Sequence, residues 1–253
     1  PVLMGEALSG VATAARGLGA SYLELRVDPR VALDQVEASA MNCETRQTFV
    51  LDLSLGEEAL WKDKVKSRCR NSVRRAMKDG VEVEIGNLHE IVDRYYELSA
   101  GVYAKSDRPP PLSREDYLEI ARVADEHDCA KVVIGRMEGR VVSAGIFPYG
   151  YGTVYYLDGV SDPTALRSQP NNLVQWELMR WACQAGMQRY DMVGAGTSGT
   201  EKFKLAFGPE PTPYAYAHQS LSPVARFARD AYSRLAPVGR AVQYRLKRLG
   251  GAD

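Results

Sequence analysis

Residues 189–208 read Arg-Tyr-Asp-Met-Val-Gly-Ala-Gly-Thr-Ser-Gly-Thr-Glu-Lys-Phe-Lys-Leu-Ala-Phe-Gly. Tyr190 to Val193 is a short apolar run that reads as the end of a strand. Gly194, Gly196 and Gly199 follow within six residues, and glycines let a backbone approach another group closely. Phe203, Lys204, Phe207 and Gly208 then close a short helical turn. A lysine set between phenylalanines carries a partly desolvated charge. Strand end, glycine turn and shielded cation together point to a site for a carbonyl or a phosphate. Asp191 is read as capping or orienting the glycine turn rather than as a base. The plainer alternative is a surface lysine on an amphipathic turn, with Phe203 and Phe207 as core anchors.

Upstream, residues 171–185 read as a helix, and 131–137, 141–148 and 153–160 as three strands of a meander. Its turns are Glu138-Gly139-Arg140 and Tyr149–Gly152. Before it lie a strand at Val81–Ile85 and a helix at 88–103. A proline-rich loop at Asp107–Leu112 follows, then a helix from Ser113, with Asp116, to about Glu126. Downstream, Tyr214–His218 alternates as a strand. The order for 81–219 is therefore β-α-α-β-β-β-α-β-turn-β, a mixed, layered α/β (α+β) domain. Further out, residues 6–18 and 223–249 read as helical, the latter with breaks at Pro237 and Gly239, and Tyr22–Val27 and 45–53 as strands. Ser54 with Glu57 is a capping-box pair opening a helix that runs to about Lys78 and stops at Gly80.

The composition belongs to an ordinary globular chain: 253 residues, 45% apolar and 25% charged, long enough for one large core or two modest ones. Its 32 basic and 32 acidic residues cancel, so no global field selects a nucleic acid or a membrane. Cys43, Cys69, Cys129 and Cys183 are too scattered for a zinc site and read as thiols in a reducing compartment. His89, His127 and His218 fit no metal-ligand spacing, so no metal and no cofactor is expected. No apolar run reaches 18 residues and no signal peptide is seen, which leads to an expectation of a cytoplasmic protein. The chain opens Pro1-Val2-Leu3-Met4 and reads as if cut from a longer protein.

Local charge is more informative. Lys62, Lys64, Lys66, Arg68, Arg70, Arg74, Arg75 and Lys78 put eight cations in 17 positions, against Asp63 alone. Trp61, Val65, Cys69, Val73 and Met77, spaced by four, form the stripe that faces the core. A solvated helix face is the bland reading; the one-sided sign makes an anionic partner at least as good, a phosphate backbone or a diphosphate. Arg167-Ser168-Gln169-Pro170-Asn171-Asn172 enters the helix of Trp176 and Trp181, an anion-binding position, although Asn171 or Asn172 equally suits a plain N-cap. Leu173, Trp176 and Met179 read as core. Asp158, late in a strand beside Gly159, is placed to face a cleft.

Several of these features occur in the order seen in the Fem-type aminoacyltransferases and their bacterial FemAB-like relatives. They are Thr48–Ser54 with Trp61 and Arg68–Gly80, Leu173–Gly186, Tyr190–Gly194 and Phe203–Gly208. The resemblance spans about residues 20–219 and rests on the ordered set rather than on one motif. It implies a pair of GNAT-like acyltransferase domains: the remainder of a truncated first domain at 1–56, a basic connecting helix at 57–80, a complete second domain at 81–219, and a basic helical segment at 220–253. It implies transfer of an aminoacyl group from aminoacyl-tRNA to a small or lipid-linked amine acceptor of a cell-envelope precursor. The family's Phe-Lys pair, associated with the acyl donor, falls on Phe203 and Lys204. Donor and acceptor contacts are then expected from Arg68, Arg70, Arg74, Arg75, Arg167, Gln169, Asn171, Asp158, Gly194 and Gly196. Ordinary GNAT enzymes cradle coenzyme A pyrophosphate with a glycine-rich loop. Here that place, 167–172, has no glycine, and its proline lacks an N–H.

Two other functions compete with this one. The first is a coenzyme A-dependent N-acyltransferase of envelope or exopolysaccharide metabolism. The second is a non-enzymatic module binding RNA or a membrane surface. Arg226, Arg229, Arg234, Arg240, Arg245, Lys247 and Arg248 favour peripheral contact with the inner membrane, a packing helix with a solvated side being the plainer reading.

Overall fold

The strand periodicities at 42–52, 82–86, 130–150 and 189–191 resolve into a central sheet. The computed structural model describes residues 2–37, 41–104, 110–194 and 198–227. Among these, the residues before Gln47 and after Thr212 form one compact unit, and Gln47–Thr212 forms a second.

The first unit contains α1 (Val2–Gly17), β1 (Tyr22–Arg26), α2 (Leu33–Glu37) and the start of β2 (Asn42–Asp52). The second continues β2 and then runs through α3 (Gly56–Ala59), α4 (Ser67–Lys78), β3 (Glu82–Gly86), α5 (Leu88–Ala104) and α6 (Arg114–His127). It goes on through β4 (Ala130–Met137), β5 (Arg140–Gly150), β6 (Thr153–Tyr155), β7 (Asp158–Ser161), α7 (Pro170–Gln184), β8 (Arg189–Asp191) and α8 (Ser198–Leu205). β9 (Glu210–Ser220) returns the chain to the first unit, where it pairs antiparallel with β1 from Tyr22 opposite Ser220 to Arg26 opposite Tyr216. Leu8, Val36, Met41, Ala215 and Ala217 close that unit's small core.

In the second unit the strand order is β2-β8-β6-β5-β4-β3, with β7 also on β5. The β6–β8 pair is parallel, and the other pairings within this unit are antiparallel. α7 lies on one core with α4, filled by Cys69, Val73, Leu173, Leu178, Tyr190 and Phe207. α5 and α6 lie on another, around Tyr95, Tyr117 and Ile146. Ser113 caps α6 in a reciprocal box with Asp116, as its spacing predicts. A mixed α/β domain is thus observed.

Two expectations differ. The third meander strand is two, β6 and β7, because Tyr156 and Leu157 carry the chain from one neighbour to another: Tyr156 N–H donates to Asp191 O and Leu157 N–H to Ile146 O. The basic helix is also interrupted. Asp52, not Ser54, caps a 3₁₀ turn at Leu53–Leu55, and α3 runs into a π turn at Leu60–Lys64. Val65, at ψ 119°, breaks the helix before α4 begins. Arg70 stabilises the break by donating from Nη1 to the carbonyls of Trp61 at 3.0 Å, Lys62 at 3.2 Å and Val65. Of the predicted stripe, Val65, Cys69 and Val73 are buried, Met77 is exposed, and Ala76 is buried in its place.

The Cys69 thiol, buried and accepting Asn172 Nδ2–H at 3.4 Å, is pushed up to about 11, chiefly by desolvation. A folded value above the unfolded one, about 8.5, means its contribution to stability is complete below that pH and is lost as pH rises through 11. Native Cys69 should therefore resist a disulfide reagent at pH 8 and react once the chain unfolds. Fast native-state modification at that residue, located by peptide mass, counts against this burial.

Candidate active site

The parallel β6–β8 pair ends with Tyr155 opposite Asp191, and Tyr156 N–H then donates to Asp191 O at 2.9 Å. Beyond this the two strands part. β7 turns to β5, while the chain after β8 bends at Val193 and Gly194. Strands that separate leave backbone groups without ladder partners, and such a place suits a polar ligand.

Lys204 reaches this opening from α8. It is 6% exposed, and Nζ donates to Val193 O and, at 2.7 Å, to Gly194 O. Phe203 and Phe207 anchor α8 edge-to-face, with centroids 5.3 Å apart. The surface-lysine alternative is thereby overturned. Asp191 Oδ1 accepts Val193 N–H at 2.7 Å, so this carboxylate orients the turn, as its sequence position indicated. Among the described residues of the turn, the unusual backbone conformation sits on Val193, at φ +51°, and not on Gly194. A Cβ at Gly194 would meet Gln47 O at 3.5 Å, an ordinary contact. Gly196 lies outside the described residues.

Tyr156 forms the other wall. Its ring stacks on Phe147 and lies 5.9 Å from Lys204 Nζ. Burial pushes the phenol up to about 12, so it stays protonated near neutrality, and the Asn171 and Gln175 amides lie within its reach. Gln175 in turn accepts from Tyr190 Oη–H. Asp158 opens β7, accepting Tyr117 Oη–H at 2.7 Å and Gly159 N–H at 2.9 Å, and its charge acts on the Tyr156 phenol. Lys204, Gly194, Asn171 and Asp158 are therefore linked through Tyr156 and the 193–194 turn. The sequence reading assigned no site role to Tyr156, Gln175, Tyr190 or Thr48, although Tyr190 and Thr48 lie in segments that carry the family resemblance. Gln175 carried a further signal, one helical turn after Asn171 on the same face.

The predicted arginines make no described contact with this group. Arg68, Arg74, Arg75 and Arg167 are exposed, and Arg70 is committed to backbone carbonyls. Arg74 lies over the Trp61 ring at 5.5 Å and Arg75 pairs with Asp79 at 3.5 Å. Gln169, at φ +57°, accepts a long hydrogen bond from Ser72 Oγ at 3.4 Å, which places the loop before α7 beside α4. The first turn of α7 offers little to a pyrophosphate: Pro170 has no N–H, and Asn172 N–H is used by Gln169 O at 3.0 Å. Among the described residues, no cluster of three or more His, Cys, Asp or Glu is arranged to hold a metal, and no helix is long and apolar enough to cross a membrane.

The acetyltransferase (GNAT) domain model matches residues 63–205, more than half of the chain. The chain belongs to the GNAT acetyltransferase-domain family. Within it, this GNAT protein is 26% identical over 167 residues to the UDP-N-acetylmuramoylpentapeptide-lysine N(6)-alanyltransferase of Weissella viridescens, covering 64% of this chain and 48% of that protein. It thus spans about half the length of that curated relative. Its fold is similar to the crystal structure of FemX, with a TM-score of 0.67 at 15% identity over 84% of this chain and 76% of that one. It is also similar to the C-terminal domain of a candidate lysylphosphatidylglycerol synthetase from Agrobacterium fabrum, with a TM-score of 0.61 at 18% identity over 90% and 77%. The Fem-type resemblance and the GNAT-like fold both stand.

Proposed function

We propose that this protein is an N-acyltransferase that moves an aminoacyl group from aminoacyl-tRNA to an amine of a cell-envelope precursor. The observation that carries the reading is the buried Lys204 ammonium under the turn where β6 and β8 part. Similarity to an alanyltransferase whose product is lysine N6-alanylated supports the aminoacyl group and the amine acceptor. The donor-poor first turn of α7 favours a charged tRNA over coenzyme A.

In this mechanism the acceptor nitrogen attacks the ester carbonyl and charge develops on the carbonyl oxygen. The C–O bond to the tRNA ribose then breaks, and the proton from the amine ends on the ribose oxygen. Lys204 contributes a fixed positive charge in a shielded place, where it stabilises the oxyanion or a nearby tRNA phosphate more than it would in water. Tyr156, held protonated, acts as a hydrogen-bond donor rather than a base. The exposed Arg68, Arg74, Arg75 and Arg167 supply phosphate contacts. Action in the cytoplasm, at the inner membrane face, follows from an acceptor of this kind.

Incubating the full-length protein with a panel of charged tRNAs and lipid-linked amines should give a new amide and a raised melting temperature with at least one charged tRNA. The GNAT domain match keeps a coenzyme A donor as the rival. Transfer from acetyl-CoA, with none from any charged tRNA, overturns the proposal.

A further inference from the structure

Thr48 lies on β2, distant in sequence from every residue of the turn, and is 3% exposed. Its hydroxyl donates to Asp191 Oδ1, the same oxygen that accepts Val193 N–H. Val193 is β-branched and holds a left-handed backbone, a conformation that persists only where its surroundings enforce it. The enforcement comes from both sides. The Asp191 carboxylate takes the N–H of Val193, and the Lys204 ammonium takes its carbonyl and that of Gly194. Asp191 and Lys204 are both buried, so their opposite charges act through Val193 in a shielded medium.

We propose that Thr48 is a positioning residue: by fixing the Asp191 carboxylate it locks Val193 and so holds the Lys204 ammonium in place. Its catalytic meaning rests on the acyltransferase reading above; the geometric claim does not. The β2–β8 register supports it. Val50 pairs with Asp191 and Phe49 O accepts Met192 N–H, which leaves Thr48 at the point where the ladder ends and side chains take over.

The test compares Thr48→Val, which removes the hydroxyl at nearly constant volume, with Thr48→Ser, which keeps it. Reductive methylation of the full chain, read lysine by lysine from peptide masses, reports how often the Lys204 clamp opens. Losing one buried hydrogen bond should make Lys204 label about tenfold faster in Thr48→Val and leave Thr48→Ser near wild type. Lys131, half-buried on β4 and paired with Asp128 at 2.6 Å, is the internal reference. Unchanged labelling at Lys204, or an acceleration shared equally by Lys131, overturns the proposal. Where a transferase assay has been established, kcat should fall about tenfold in Thr48→Val with rescue in Thr48→Ser. Equal kcat in all three forms overturns the catalytic part. Absence of transfer in the wild type refutes the proposed function and leaves the labelling result to decide this one.

Discussion

Lys204→Met is expected to lower aminoacyl transfer by about two to three orders of magnitude, the cost of removing one preorganised electrostatic donor. Methionine keeps much of the stem length and apolar contact but has neither the charge nor the N–H groups. The carbonyls of Val193 and Gly194 then lose a charge-assisted partner inside the protein. Leaving buried acceptors unsatisfied costs about 1–3 kcal/mol, or a few degrees of melting temperature in a chain of this size. The variant therefore remains folded at assay temperature, and circular dichroism and thermal melts should show it. Single-turnover transfer measured alongside separates chemistry from binding. Turnover within twofold of wild type would remove Lys204 from the mechanism. A conserved rate with a large stability loss would make it a purely structural clamp.

The order of elements was legible because it depends on periodicity. The turns at Glu138–Arg140 and Tyr149–Gly152 and the apolar stripe at Val65, Cys69 and Val73 each report one local geometry, and the packed structure keeps them. Lys204 and Asp191 were legible for a similar reason, since both sit in one short stretch beside a turn. What could not be read was geometry set by partners distant in the chain. The break at Val65 depends on Arg70 finding three carbonyls and on Lys66 N–H finding Ala206 O, 140 residues later. Tyr156 joins the site only because Asp191 and Ile146 pull successive residues toward different strands. The basic helix shows the opposite error: its cations are adjacent in sequence, yet Arg70 serves the backbone while Arg68, Arg74 and Arg75 face solvent. Sequence proximity reported their charge and not their task.

Gly208→Ala should be the most damaging small substitution in the second unit. Gly208 has φ +83°, where any side chain is strained, and a Cβ there would lie 2.3 Å from Lys64 O and 2.7 Å from Lys64 C. Those are backbone atoms at the end of the π turn, so no side-chain rotation relieves the overlap. Moving the Lys64 carbonyl disturbs Val65 N–H on Leu60 O, the Arg70 contacts and Lys66 N–H on Ala206 O together. A cost of about 3–5 kcal/mol is expected, which is a large part of the stability of an ordinary domain. Gly139→Ala is the control: it has a similar φ of +75° with nothing within 4 Å of the added Cβ, so only about 1 kcal/mol of backbone strain is expected. Denaturant unfolding of both variants isolates the overlap as their difference, and equal losses would show that strain alone explains Gly208. The consequence reaches the candidate site because α8 ends at Leu205, three residues before Gly208. A backbone forced away from Lys64 shifts the helix that carries Lys204, so transfer in Gly208→Ala should fall even at temperatures where the chain is still folded.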